Sequence, residues 1–183
     1  QLGAGRSSGV LCCALLSAAA DRFAVSGHRD GGLRVWDLAA AEKDAGGAAT
    51  VAVASLERHS APISCVAACG SRGQFVLTGS HDRSIVLWDL RSTLALANGA
   101  DGSNTLQESE AAAAAVTVMT GHSGRVMCCA AFRDTRAVDA VGSSEEPLKG
   151  WIAASGSEDC SVRLWQLSSG GACMRVIGGH PGA

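Results

Sequence analysis

The chain of 183 residues reads as an all-β protein built from a repeated unit of short strands. Three observations predict this. Segments of 13 residues align without a gap at three places: "SGHRDGGLRVWDL" from Ser26, "TGSHDRSIVLWDL" from Thr78 and "SGSEDCSVRLWQL" from Ser155. A second block recurs upstream of the later two, "RHSAPISCVAA" from Arg58 and "GHSGRVMCCAA" from Gly121. Self-similarity at a fixed period marks a repeat architecture. The apolar runs are short and nearly continuous, bounded by Asp, Ser and Gly. That is the pattern of strands covered on both faces and joined by tight hairpins.

The first element is the most ambiguous. "GVLCCALLSAAADRF", residues 9–23, follows Arg6 and carries Ala18 and Ala20 in an A-x-A pattern, the outline of a secretory signal peptide. The repeat decides against that. His59 precedes Cys65 by six residues, His122 precedes Cys128 by six, and Arg6 precedes Cys12 by six. Residues 10–14 therefore correspond to 63–67 and 126–130 and form the first strand of a repeat.

The remaining strands follow from the aligned blocks, with the outer strand of each repeat implied by the family resemblance given below. Repeat one is expected to hold strands near 10–15, 22–27, 33–38 and 50–54. Repeat two holds 63–67, 75–79, 85–90 and 115–119, and repeat three 126–131, 151–156, 162–167 and 173–177. The turns "HRDGG", "SHDRS" and "SEDCS" join the second and third strands.

Spacing locates the insertions. Trp36 and Trp88 are 52 residues apart, Trp88 and Trp165 77, where a repeat of this kind spans about 40–45. The surplus falls in 91–114, which mixes Gly, Asn, Ser, Glu and alanines, and in 134–149, which is charged and contains Pro147. Both are expected as mobile loops. Repeat one covers about 5–54, repeat two about 58–119 and repeat three about 121–177. Residues 179–183 open a fourth, and the chain, which begins with Gln1, is read as a piece of a longer polypeptide.

The totals exclude several classes. The net charge of -2 provides no basic field for nucleic acid. No apolar run approaches the roughly 18 residues of a membrane span. The eight cysteines contain no C-x-x-C pair, so the usual zinc spacing is missing, and they are read as small, reduced core thiols. A Gly-rich phosphate loop is also missing. Glu145-Glu146 and Glu108-x-Glu110 fall in the insertions and read as solvated charge. No catalytic residue, metal or cofactor is expected.

The quoted blocks resemble the WD-repeat (WD40) family, whose four-stranded blades form a β-propeller. Gly121-His122 and Gly179-His180 match the Gly-His that opens a repeat, and Trp36-Asp37 and Trp88-Asp89 match the Trp-Asp that closes one. Arg6 stands for the first His, Arg58 for a Gly and Gln166 for the last Asp. The resemblance implies about three blades of an incomplete ring, with seven blades usual in the family. It also implies a hydrogen-bonded network within each blade: His59, Thr78, Asp82 and Trp88 in the second, His122, Ser155, Asp159 and Trp165 in the third. Ser26, Asp30 and Trp36 remain in the first, where the His is missing. A Ser-His-Asp set copied per repeat, with Trp on the hydroxyl, reads as structure and not as a hydrolase triad.

Function is therefore expected to be binding of other proteins or peptides by a non-catalytic scaffold. On the family's usual ligand-binding end the residue before the motif Asp is a frequent contact, here Arg29, His81 and Glu158, with Arg83 and Arg125 nearby. "VLTGSHDRSIVLWDLR", residues 76–91, also looks like the docking box of substrate receptors for a cullin-RING ubiquitin ligase. In that reading Trp88, Asp89 and Arg91, within Trp88-Asp89-Leu90-Arg91, meet the adaptor. A third reading makes the chain the regulatory propeller of a larger enzyme or trafficking protein. The expected compartment is cytoplasm or nucleus.

Overall fold

A computed structural model describes residues 8–16, 22–39, 52–99, 115–134 and 147–179. Twelve strands form three four-stranded antiparallel sheets, each in chain order from its innermost strand outward. Blade one holds β1 (Val10–Leu16), β2 (Phe23–His28), β3 (Gly32–Asp37) and β4 (Ala54–Glu57). Blade two holds β5 (Ile63–Cys69), β6 (Phe75–Ser80), β7 (Ile85–Asp89) and β8 (Ala115–Met119). Blade three holds β9 (Val126–Arg133), β10 (Trp151–Ser157), β11 (Val162–Gln166) and β12 (Ala172–Ile177).

The repeat is visible in the register. Ser26, Thr78 and Ser155 lie opposite Cys13, Val66 and Cys129, while Gly27, Gly79 and Gly156 lie opposite Cys12, Cys65 and Cys128. A bulge interrupts each innermost strand one residue after its start, at positions 11, 64 and 127. Such a bulge re-aims the side chains that follow it.

Two apolar clusters hold the blades together. Leu16, Phe23, Val25, Leu33 and Val35 of blade one pack with Val76, Val86 and Trp88 of blade two. Leu77, Ile85 and Leu87 of blade two pack with Val126, Ala153 and Trp165 of blade three. Alternate residues of β6 and β7 thus serve opposite faces, and the whole of β6 is buried. This is why its sequence reads as a continuous apolar run.

Two expectations need correction. The outer strand of blade one is not at 50–54 but at Ala54–Glu57, so repeat one extends past residue 54. Pairing decides it: Leu56 lies opposite Leu33, and the buried–exposed alternation of Ala54, Ser55, Leu56 and Glu57 seats the strand. Nor does the segment 91–114 begin as a loop. An α-helix, α1, runs over Arg91–Gly99. Leu90, Leu94 and Ala97 are buried in the first cluster, and spacings of four and three residues bring them to one face. The rest of that insertion, and residues 135–146 of the other, lie outside the described residues, as do Arg6, residues 17–20 and 180–183.

Candidate functional site

In blade two the site is a chain of four polar groups threaded through the sheet. The Trp88 indole N–H donates to Thr78 Oγ1 at 2.8 Å. Thr78 Oγ1 lies 2.7 Å from His59 Nε2, and His59 Nδ1 lies 2.9 Å from Asp82 Oδ2. One tautomer satisfies every member: the hydroxyl donates to Nε2, and Nδ1–H donates to the carboxylate. That ring is neutral. Burial pushes the His59 pKa down, and the pull of Asp82 in the other direction does not overcome it.

Blade three repeats the arrangement. Trp165 Nε1 donates to Ser155 Oγ at 2.9 Å, Ser155 Oγ meets His122 Nε2 at 2.8 Å, and His122 Nδ1 meets Asp159 Oδ2 at 2.8 Å. The His122 and Trp165 rings also meet edge to face, 6.2 Å between centroids. Ser84 and Ser161 complete the two networks, each hydroxyl donating to its Asp Oδ1 at 2.6 Å. The network list read from the sequence lacks both, although the D-x-S that places them is visible in "HDRS" and "EDCS". Burial alone would raise the Asp82 and Asp159 pKa values. Hydrogen bonds from Ser84 and the His59 ring, and from Ser161 and the His122 ring, outweigh it and hold both carboxyls below their ordinary range.

Blade one solves the missing histidine differently. His28, two residues after Ser26 on the same strand, folds back so that Nε2 lies 2.7 Å from Ser26 Oγ. Trp36 Nε1 donates to that hydroxyl at 2.7 Å. The His28 Nδ1 lies 3.1 Å from the Ser8 carbonyl and 2.5 Å from Arg34 Nη1, and the ring tautomer selects between them. Asp30 pairs instead with Arg34 at 3.0 Å. The signal was present in the alignment: repeat one has His where the others have Ser80 and Ser157.

The chemistry open to these groups is narrow. Thr78 is 0% exposed, and its oxygen already accepts from an indole. A Ser-His-Asp set arranged this way is connected like a hydrolytic triad, but its hydroxyl has no approach for a substrate. Among the described residues no group of three or more His, Cys, Asp or Glu is placed to hold a metal.

The candidate contact residues come to one end of the blades. The turns before the third strands dock alike: Arg29 N donates to Gly9 O, His81 N to Pro62 O and Glu158 N to Arg125 O, each at 3.0 Å. Arg29, Arg83, Arg125 and Glu158 are exposed and His81 is half-buried. Arg125 faces Glu158 at 3.6 Å.

The Trp-Asp-Leu-Arg residues sit elsewhere. Trp88 is 1% exposed, inside the blade. Arg91 holds Asp89 through Nε at 3.0 Å and Nη2 at 2.6 Å and lies over the Phe75 ring. Its side chain is 52% exposed. In blade one Arg22 grips Asp37 and lies over Phe23 in the same manner.

Comparison with known proteins agrees with this geometry. The family model described as WD domain, G-beta repeat matches residues 2–37, 51–89 and 114–166. Mitochondrial division protein 1 of Aspergillus niger is 30% identical over 153 residues, 84% of this chain and 21% of that protein. Nuclear distribution protein PAC1-2 of Uncinocarpus reesii is 28% identical over 162 residues, 85% of this chain and 28% of that protein. The chain therefore spans less than a third of the length of either. Among solved structures, that of U3-55K superposes with a TM-score of 0.64 at 17% identity, covering 98% of this chain and 42% of that one.

Proposed function

Since this chain belongs to the WD-repeat family, we propose that it is a non-catalytic scaffold that binds other proteins through a loop face of its propeller. The observation that carries this is the docking of the three turns before the third strands. Equivalent backbone hydrogen bonds hold positions 29, 81 and 158 at one end of a rigid sheet stack. Loops on a rigid scaffold are where recognition concentrates. The buried, indole-bound hydroxyls support a structural role for the polar networks. Among the described residues no helix is long and apolar enough to cross a membrane, and the proposed compartment is cytoplasm or nucleus.

The test is affinity capture with the full-length protein and a triple variant, Arg29→Ala, His81→Ala, Glu158→Ala. Loss of one defined set of partners from a variant with an unchanged melting temperature supports the reading. An unchanged set places recognition on another surface.

A second reading, docking to a cullin-ligase adaptor, draws on the half-exposed Arg91 guanidinium, which Asp89 and Phe75 hold at the blade's surface. There Trp88 acts by holding the strand. Arg91→Ala tests it: an adaptor and cullin captured by the parent and lost from the variant support it. The third, a regulatory propeller within a larger enzyme or trafficking protein, draws on the short share of its relatives that the chain spans. The domains beside it in the full-length polypeptide decide that one.

A further inference from the structure

Residues 58–62, which join β4 to β5, run between the β2–β3 turn of blade one and the β6–β7 turn of blade two. They are packed against both. On the blade-one side a Cβ placed on Gly31 would stand 2.6 Å from the His59 carbonyl oxygen and 3.0 Å from that of Ala61. On the blade-two side Ser60 N donates to Asp82 Oδ2, the Ser80 hydroxyl to Ala61 O and His81 N to Pro62 O, each at 3.0 Å. Two turns and a linker thus form one continuous surface across the seam. Three exposed arginines belong to it: Arg29 two residues before Gly31, Arg58 next to His59, and Arg83 next to Asp82.

Among the described residues none of these three guanidinium groups has an ion-pair or hydrogen-bond partner. The nearby carboxylates are committed elsewhere. Asp30 is held by Arg34 at 3.0 Å, and Asp82 by the His59 ring at 2.9 Å. Glu57, exposed on β4 opposite Gly32, is left to face the three arginines. Blade three is balanced at the same end, where Arg125 faces Glu158 at 3.6 Å. The positive excess is therefore confined to the seam of blades one and two, in a chain whose net charge is -2.

Two of the arginines stand where another repeat has glycine. Arg58 aligns with Gly121, and Arg83 with Gly31. Arg83 keeps the left-handed backbone of that position, with φ of 73° against 87° at Gly31. Side chains are rarely held in that region, and residues that are cluster where ligands are bound. Glycine serves the fold at both positions in a sister blade, so the turn itself does not call for either arginine.

We propose that this seam recognises a carboxylate-rich segment of a partner protein, a run of Asp and Glu held by Arg29, Arg58 and Arg83. The proposal rests on the scaffold reading above and names the chemistry of its partner. A guanidinium matches a carboxylate in charge and shape, donating two parallel N–H bonds to its two oxygens. Exposed positive charge also steers an acidic partner toward the face before contact. Arg58, on the linker, joins the charges of the two turns into one site.

The experiment measures binding of fluorescent peptides rich in Asp and Glu to the full-length protein by anisotropy. The same peptides with Asn and Gln in place of the acids serve as the comparison. The expected result is saturable binding of the acidic peptides alone, weakening as salt rises from about 0.05 to 0.3 M. Arg58→Ala combined with Arg83→Gly should weaken it roughly fivefold or more, with no loss of melting temperature. Arg72→Ala, in the exposed β5–β6 turn at the opposite end of blade two, should leave it unchanged. Equal binding of the neutral peptides, insensitivity to salt in the unsubstituted protein, or full binding by the double variant overturns the proposal. So does equal affinity for a single-stranded oligonucleotide, which marks a general polyanion patch. Partners lost from Arg29→Ala, His81→Ala, Glu158→Ala while no acidic peptide binds the parent also overturn it, and leave the scaffold reading standing.

Discussion

Thr78 has one proton to give and two lone pairs, and the packing of blade two uses the proton and one pair. The hydroxyl donates to His59 and accepts from Trp88, so removing it orphans two buried groups, whereas removing the indole N–H orphans one. Thr78→Val is therefore expected to cost more stability than Trp88→Phe. The estimate is about 1–3 kcal/mol for each orphaned group, read from urea unfolding of the full-length protein. Equal losses would show that the hydroxyl is not the hub. The same residues set the acid limit of the fold. The folded pKa of His59 is below its ordinary value, so the unfolded chain binds the proton better. The stability His59 contributes is complete above its ordinary value near 6.5 and is lost as pH falls below it. Asp82 and Asp159 are lowered too, so their contribution is present above the ordinary carboxylate range near 4 and fades below it. The melting temperature should fall in two stages, first below pH about 6.5 and then below about 4. In His59→Gln the first stage should shrink and the second remain. Most of this site was legible, because Thr78, Asp82 and Trp88 recur at fixed places in the alignment. His28 stands out in the same alignment but goes unassigned there, because this blade draws its ring from a position that elsewhere holds serine.

The hairpin between the second and third strands shows how an element constrains single residues. Each turn closes through the residue after the motif Asp, whose N–H donates to the carbonyl three residues back: Gly31 to His28, Arg83 to Ser80 and Cys160 to Ser157. That residue is left-handed in all three, with φ of 87° at Gly31, 73° at Arg83 and 61° at Cys160. Glycine adopts this region freely, and a side chain there costs about 1–2 kcal/mol. Substitution should therefore act in opposite directions in two blades. Arg83→Gly is expected to relieve strain and raise the melting temperature slightly. Gly31→Ala adds a Cβ that would stand 2.6 Å from the His59 carbonyl oxygen and should destabilise by about 1–3 kcal/mol. A thermal melt of each variant checks both signs. These turns were readable from their Asp, Gly and Ser residues. The helix α1 was not, because the composition of 91–114 as a whole conceals nine residues whose Leu94 and Ala97 face the core. The outer strand β4 was displaced for a related reason: the apolar run before it competes for the role, and pairing with β3 settles the register.

At the scale of the whole molecule, burial follows position in the stack. Blade two, between two neighbours, has β6 wholly buried and β7 nearly so. In the outer blades β12 is exposed along its whole length, and β1 exposes Val10, Leu11 and Leu15 at 58%, 42% and 61%. Phe132, Met174, Val176 and Ile177 are exposed on blade three. The networks follow the same geometry: Trp88 packs in the cluster shared with blade one, Trp165 in the cluster shared with blade two, and Trp36 is half-buried. The outer faces thus have the composition of blade interfaces without the neighbour. Apolar faces of this kind associate in water, and surfaces that differ from each other associate head to tail without closing. Residues 1–183 alone should therefore form larger species as concentration rises, seen by sedimentation velocity, while a chain extended by further blades sediments as a monomer. One pair of substitutions separates this from general insolubility. Leu15→Glu with Val176→Glu charges both outer faces. It should keep residues 1–183 monomeric and yet lower the melting temperature of the extended chain, where the same positions become interior. If residues 1–183 without substitution melt cooperatively as a monomer, those faces are stable in water and the ring needs no closure.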